Sequence, residues 1–317
     1  MRSRKLILAA LMFASLVAAR TAQAAASPEQ MIASGSVDDA IRALSGRNDA
    51  ASLNLLSRAY YAIEQFDNAI AAGEKAVNLS PDNSMYHLWL GREYGEKAAS
   101  VNPLSAAGYA KKTKNEFEQA VKLDPANVQA HADLSEYYVD APSIMGGGLD
   151  KARDQATQVA KYDEATSHWI LSLVASKEKN YTETENQLQQ AIKVAKDPAQ
   201  YWMNLASFYA HHSRPDDMQK AISQAVAQPN KSAEVYYNAA SVLFQPGKEF
   251  ASAIQYLNKY LNSGAMVEDA PAFRAHYLLG QIYEKMGNKP DAAAEYKASL
   301  ALASGFAPAS KALGRAQ

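Results

Sequence analysis

The sequence predicts an all-α chain built as a stack of about seven helix-turn-helix repeats. A short pattern recurs along it: an apolar residue, a small residue, then usually Tyr three positions on. After each copy, apolar residues return at spacings of three, four and seven, which places them on one helical face. No segment of useful length alternates apolar and polar residues as a half-buried strand does, so almost no sheet is expected.

The chain begins with a basic start, Arg2, Arg4 and Lys5, followed by the apolar stretch from Leu6 to Ala19, in which Ser15 is the one polar residue. Ala22-Gln23-Ala24 then gives the small-x-small pattern a signal peptidase reads. The stretch is too short to cross a bilayer comfortably, where ~20 apolar residues are needed. Residues 1–26 are therefore expected to be a signal peptide cut after Ala24 or Ala26, and residues 27–317 the mature, periplasmic or secreted protein. The whole chain has 32 Lys+Arg against 33 Asp+Glu, a net charge of −1. No acid precedes Glu29, so losing Arg2, Arg4, Lys5 and Arg20 removes four positive charges from −1 and leaves −5. That balance weighs against nucleic acid as a partner, which needs clustered Lys and Arg. The absence of Cys excludes disulfides, thiolate metal sites and a Cys nucleophile.

Residues 28–48 read as a leading partial unit, with Ala40 and Leu44 on one face. The recurring pattern then starts at Leu56, Leu90, Leu134, Leu171, Leu205, Ala239 and Leu279, at steps of 34, 44, 37, 34, 34 and 40. Second halves follow, as in Phe66, Ala69, Ala76 and Pro81, or Phe117, Ala120 and Pro125. The expected units are about 50–83, 84–127, 128–164, 165–198, 199–232, 233–270 and 273–306, with a closing helix at 308–316. The residue after each anchor is small in all seven copies: Ser57, Gly91, Ser135, Ser172, Ala206, Ala240 and Gly280. A large side chain there would force the two helices of a unit apart and leave voids.

With these residues and this period, the chain resembles the tetratricopeptide repeat proteins, whose unit is 34 residues with W-x2-L-G-x2-Y, then A-x3-F, then Pro. The resemblance spans roughly residues 50–305 and looks like that of an exported bacterial member. It departs where the family has Trp, which is replaced by Leu53, His87, His131, His168, Tyr236 and His276, and kept as Trp202. About ten residues are added around Asn102-Pro103, and Ala141 to Gly148 forms a Pro…Gly-Gly insertion. The resemblance implies a right-handed α-solenoid with a concave groove lined by the first helix of each unit. It places Asn54, Arg58 and Tyr61 of the first unit there, Arg92 of the second, Glu136 of the third and Trp169 of the fourth. Met203 of the fifth, Tyr237 and Phe244 of the sixth, and Arg274, Tyr277 and Gln281 of the seventh complete it. Such side chains are expected to be replaceable with little loss of fold.

Catalytic chemistry finds little support. His87, His131, His168 and His276 occupy equivalent repeat positions, ~8–10 Å apart if neighbouring units pack as helices do, against Zn–N bonds of ~2 Å, so a packing role between units is expected and no metal site. His211-His212 lacks a third ligand at i+4. Gly146-Gly147-Gly148 lacks the Gly-Lys-Ser/Thr ending of a phosphate loop and reads as a turn. No Gly-x-Ser-x-Gly or His-Glu-x-x-His occurs. The expected function is a non-catalytic, cofactor-free protein-interaction scaffold of the cell envelope. The alternative is a glycan or small-molecule binder that stacks its ligand on groove aromatics such as Trp169, Tyr237 and Tyr277.

Overall fold

The computed structural model describes residues 26–316 except Pro246 and Lys248; the expected signal peptide lies outside the described residues apart from its last position. A short leading pair, α1 (Pro28–Ser34) and α2 (Val37–Leu44), precedes seven antiparallel helix pairs. These are α3 (Ala50–Ala62) with α4 (Phe66–Leu79), α5 (Ser84–Ser100) with α6 (Pro103–Leu123), and α7 (Val128–Asp140) with α8 (Leu149–Val159). Next come α9 (Glu164–Lys177) with α10 (Tyr181–Val194), and α11 (Ala199–His211) with α12 (Pro215–Ala227). The last two are α13 (Glu234–Phe244) with α14 (Phe250–Asn262), and α15 (Ala272–Lys285) with α16 (Lys289–Leu302), followed by α17 (Ala307–Ala316). Among the described residues there is no strand, and no helix is long and apolar enough to cross a membrane. The fold is an all-α solenoid of helical repeats.

Local chemistry sets the helix ends. Side chains of Asp49, Asn83, Asn127, Asp163, Asn180 and Asn288 accept backbone N–H groups at the starts of α3, α5, α7, α9, α10 and α16, satisfying donors that the helix itself leaves free. The turns inside four pairs share one form, with a single left-handed residue at Glu64, Lys179, Ser213 or Gly287. The residue after it returns its N–H to the carbonyl at the recurring Tyr position, namely Tyr60, Ala175, Tyr209 and Tyr283, at 2.9–3.0 Å. The added residues of the second pair form no loop. Asn102 caps α6 and Pro103 takes its first position, so the pair is lengthened to helices of 17 and 21 residues. Gly147 in the other insertion admits no side chain, because a Cβ would stand 1.8 Å from the Ala141 carbonyl oxygen.

Packing within a pair depends on the small residue. A Cβ on Gly91 would meet the Phe117 ring of α6 at 2.5 Å, and one on Gly280 would meet the Tyr296 ring of α16 at 2.4 Å. Where the small residue is Ser, its hydroxyl is tied to its own helix: Ser57 to the Asn54 carbonyl, Ser135 to that of His131, Ser172 to that of Trp169. The four equivalent histidines bridge the two helices of one unit, and two of them also make the expected contact between units, His87 and His131 meeting the Pro81 and Pro125 carbonyls of the preceding unit through Nε2 at 2.8 and 3.0 Å. Each Nδ1 meets a carboxylate or amide oxygen of the second helix: His87 with Glu116 (2.6 Å), and His131, His168 and His276 with Gln155, Gln187 and Glu295 (2.7 Å each). The recurring tyrosines also bond between units. Tyr94, Tyr138 and Tyr209 donate to Glu74, Glu118 and Glu185 on the second helix of the preceding unit.

The solenoid closes on itself. Phe273 of α15 and Phe306, just before α17, join Ile32, Val37, Leu44, Leu55 and Ile63 of the first helices in one buried apolar cluster. The two rings meet edge to face at 5.0 Å. Asp38 accepts the Ser304 N–H at 3.0 Å, and a Cβ on Gly35 would lie 2.8 Å from the Ala272 nitrogen.

One buried group stands out against this packing. Glu93 of α5 is fully buried, with both carboxyl oxygens unbonded, over Gly73 of α4. Burial pushes its carboxyl from the ordinary 4.5 up to about 8, with the Glu74 charge adding to the shift and Ser57 opposing it. The native state thus holds a proton that the unfolded chain has released, so stability falls as pH rises between those two values. Glu93→Gln is expected to flatten the fall of the melting temperature between about pH 5 and about pH 8, and thermal scans across that range measure it. A second expectation concerns the two glycines of α5. Gly91→Leu should cost ~1–3 kcal/mol by overpacking against Phe117. Gly95→Ala, whose Cβ would meet Thr113 at an ordinary 3.6 Å, should gain about 0.5–1 kcal/mol from helix propensity alone. Denaturant unfolding of both variants gives the comparison.

Candidate interaction surface

First helices of successive units also touch, α3 with α5, α5 with α7, α7 with α9, α11 with α13 and α13 with α15. Their uncovered sides form the inner wall of the solenoid. That wall has a covered stretch and an open one.

The covered stretch centres on Trp89, whose indole lies between two guanidinium groups, Arg58 at 4.9 Å and Arg92 at 4.8 Å from the ring. Both arginines are already paired. Arg58 forks onto Glu268, its Nε donating to Oε1 at 2.9 Å and its Nη2 to Oε2. Arg92 donates to Asp133 at 2.5 Å from Nε. About four-fifths of each of these four side chains is shielded from solvent. Burial raises the Asp133 carboxyl, with Arg92 opposing the shift. Tyr61 meets the Trp89 ring edge to face at 5.7 Å, and burial pushes its hydroxyl far up. Arg274 donates to the Ala62 carbonyl at 3.0 Å and lies 3.5 Å from Glu64. What remains is a polar chamber of about 220 Å³ among Arg58, Tyr61, Trp89, Glu96, Asp269 and Arg274.

The open stretch lies over the third to fifth units. Two hollows of about 870 and 750 Å³ adjoin there, and Glu136, Trp169 and Asn204 line both. Tyr162, Gln200 and Tyr201 extend one side; Ser207, Phe208, His211 and Tyr181 extend the other. Glu136 reaches solvent, yet the surrounding wall withholds enough water, with Asp133 and Asp140 nearby, to raise its carboxyl to about 7. At the far end the His212 ring is flanked by Tyr181 at 4.4 Å and Phe208 at 4.3 Å.

Of the twelve residues expected on the groove, Glu136 and Trp169 reach the open stretch. Asn54 (4% exposed) and Met203 (2%) are buried, because the first helix of the next unit presses on that side; neither lies on the surface. Arg58, Tyr61, Arg92 and Arg274 sit in the covered stretch. Tyr237 packs on Tyr260 at 5.9 Å, Phe244 on Phe250 at 6.3 Å, and Tyr277 on Phe306 and Tyr296 at 5.3 and 5.8 Å. Gln281 is half-buried in α15. Two of the three aromatic platforms considered for a glycan are thus used in packing. Sequence reasoning missed Trp89, Asp133, Asn204 and the pair Glu268-Asp269. The last pair had a signal, since the step between the sixth and seventh units is 40 residues and not 34.

The pairing also overturns the expectation that Arg58 is dispensable for the fold. Arg58→Ala strands the shielded Glu268 carboxylate and uncovers one face of Trp89. It is expected to cost about 1–3 kcal/mol, read as a lowered denaturation midpoint.

Residues 50–83 and 263–305 each match a family model described as tetratricopeptide repeat. No curated protein matches the sequence. Among solved structures, a thermophilic tetratricopeptide-repeat protein from Thermus thermophilus is 21% identical, with 61% of this chain and 98% of that one covered, at a TM-score of 0.46. A tetratricopeptide repeat protein from Parabacteroides merdae is 14% identical over 84% of this chain and 98% of that one, at 0.44. PilF of Pseudomonas aeruginosa is 16% identical over 73% and 97%, at 0.38.

Proposed function

We propose that this chain, a tetratricopeptide-repeat protein, is an exported, non-catalytic scaffold that holds an extended segment or a helix of a partner protein along the open stretch of its inner wall. The observation that carries the reading is the pair of adjoining hollows that meet at Trp169, lined by Glu136 and Asn204. Tryptophan gives a large rigid contact face at little entropic cost, and such residues dominate binding energy at interfaces. The strongest charge pairs of the wall, Arg58 with Glu268 and Arg92 with Asp133, are committed to each other. They supply neither a free acid nor a free base. Export is supported by the basic start, the apolar stretch to Ala19 and the Ala22-Gln23-Ala24 pattern.

Protein purified from the native host tests both parts. Its intact mass is expected to begin at Ala25 or Ser27; a mass that retains Met1 to Ala24 removes the export claim. Crosslinked capture from an envelope extract is then compared between the parent, Trp169→Ala and Asn204→Arg, which pushes a long cation into both hollows. The expected result is a captured protein that both variants lose at least tenfold, at about 1.4 kcal/mol per tenfold, while remaining folded by circular dichroism. Capture unchanged in both folded variants rules out the open stretch as the binding surface.

A further inference from the structure

We propose that residues 263–271, between α14 and α15, are an ionic strap: a built-in occupant of the inner wall that shields Trp89 and is released separately from the ring closure. Tyr260, fully buried at the end of α14, templates the loop. Its hydroxyl donates to the Ala270 carbonyl and accepts the Val267 N–H at 2.9 Å. The Ala270 N–H returns to the Val267 carbonyl at 3.2 Å, closing a turn with Glu268 and Asp269 at its tip. That tip crosses from the sixth–seventh junction to the first unit. Glu268 takes the fork of Arg58, 210 positions earlier in the chain, and Asp269 forms part of the chamber wall beside Trp89.

The closure therefore has two parts of different physical kind. The seam, Phe273 and Phe306 among the side chains of α1–α3, is mainly apolar, with the Asp38–Ser304 bond and the Arg274–Glu64 pair beside it, so its main contacts are not weakened by screening. The strap is held to the far wall through charge-assisted bonds that remain about one-fifth exposed, and screening weakens it. With the strap down, anything lying along the inner wall reaches the third to fifth units only. With it up, Arg58, Trp89 and Arg92 join that surface. The inference does not depend on what the open stretch binds, and its test needs no partner.

The test is acrylamide quenching of tryptophan emission in the full chain, with Trp89→Phe variants assigning the Trp89 share. Neutralising the tip by Glu268→Gln with Asp269→Asn is expected to raise the quenching slope by roughly half, since one of three tryptophans passes from shielded to exposed as the loop opens. The rise should vanish in the Trp89→Phe background. Added salt should raise the slope of the parent but not of the neutralised chain. Tyr260→Phe, which removes the template and leaves both acids, should give the same rise. Small-angle scattering should show an unchanged radius of gyration, because the seam still holds. A neutralised chain as well shielded as the parent overturns the strap. A radius of gyration that grows with the slope also overturns it, because the ion pair then belongs to the seam.

Discussion

Every unit depends on one steric constraint: the near-contact of two helices at a position that admits no large side chain. Phe117 lies on Gly91 and Tyr296 on Gly280, each ring within 2.5 Å of where a Cβ would stand. The close approach brings the flanking groups into register. His87 reaches Glu116 and His276 reaches Glu295 because their helices lie so near. Where serine takes the position, its hydroxyl turns back on its own helix, so the near-contact costs no unsatisfied polar group.

Two hydrogen-bond ladders extend this geometry from unit to solenoid. Histidine Nδ1 bonds run inside units, while the Nε2 bonds of His87 and His131 and the tyrosine-to-glutamate bonds run backward to the unit before. Each ladder recurs at one repeat position, the histidine bond in four units and the tyrosine bond at three junctions, and small rotations between neighbouring units accumulate into curvature. Here the accumulated curvature is enough to bring α15 and the residues before α17 onto α1, α2 and α3. The inner wall is consequently divided, with its first two units facing the 263–271 loop and its middle units facing solvent.

What was legible in the sequence was whatever recurs. The small position, the helical faces and the shared site of four histidines all repeat in register, and the helix pairs follow from them. The histidine bonds were not legible, because Glu116, Gln155, Gln187 and Glu295 lie 29, 24, 19 and 19 positions beyond their partners. The closure leaves only the 40-residue step before the seventh unit as a periodic trace, since Arg58 and Glu268 belong to no shared repeat position. Asn54 and Met203 were misplaced by treating each first helix as if its inner side met only solvent. In the structure, α5 and α13 press on those sides. Trp169 was placed on the inner wall from the same geometry, and at that unit the side is open.

A linear stack of repeats behaves as a one-dimensional chain with two free ends, which fray first and tolerate the addition or loss of whole modules. Joining Phe273 and Phe306 to Ile32 and Val37 turns the line into a loop. A loop has no terminal module to duplicate, and its perimeter admits only the number of modules whose rotations sum to closure. Gain or loss of a single unit would misalign both faces of the join together. The unit count in this protein is therefore a geometric requirement, enforced by the contact between its first and last helices.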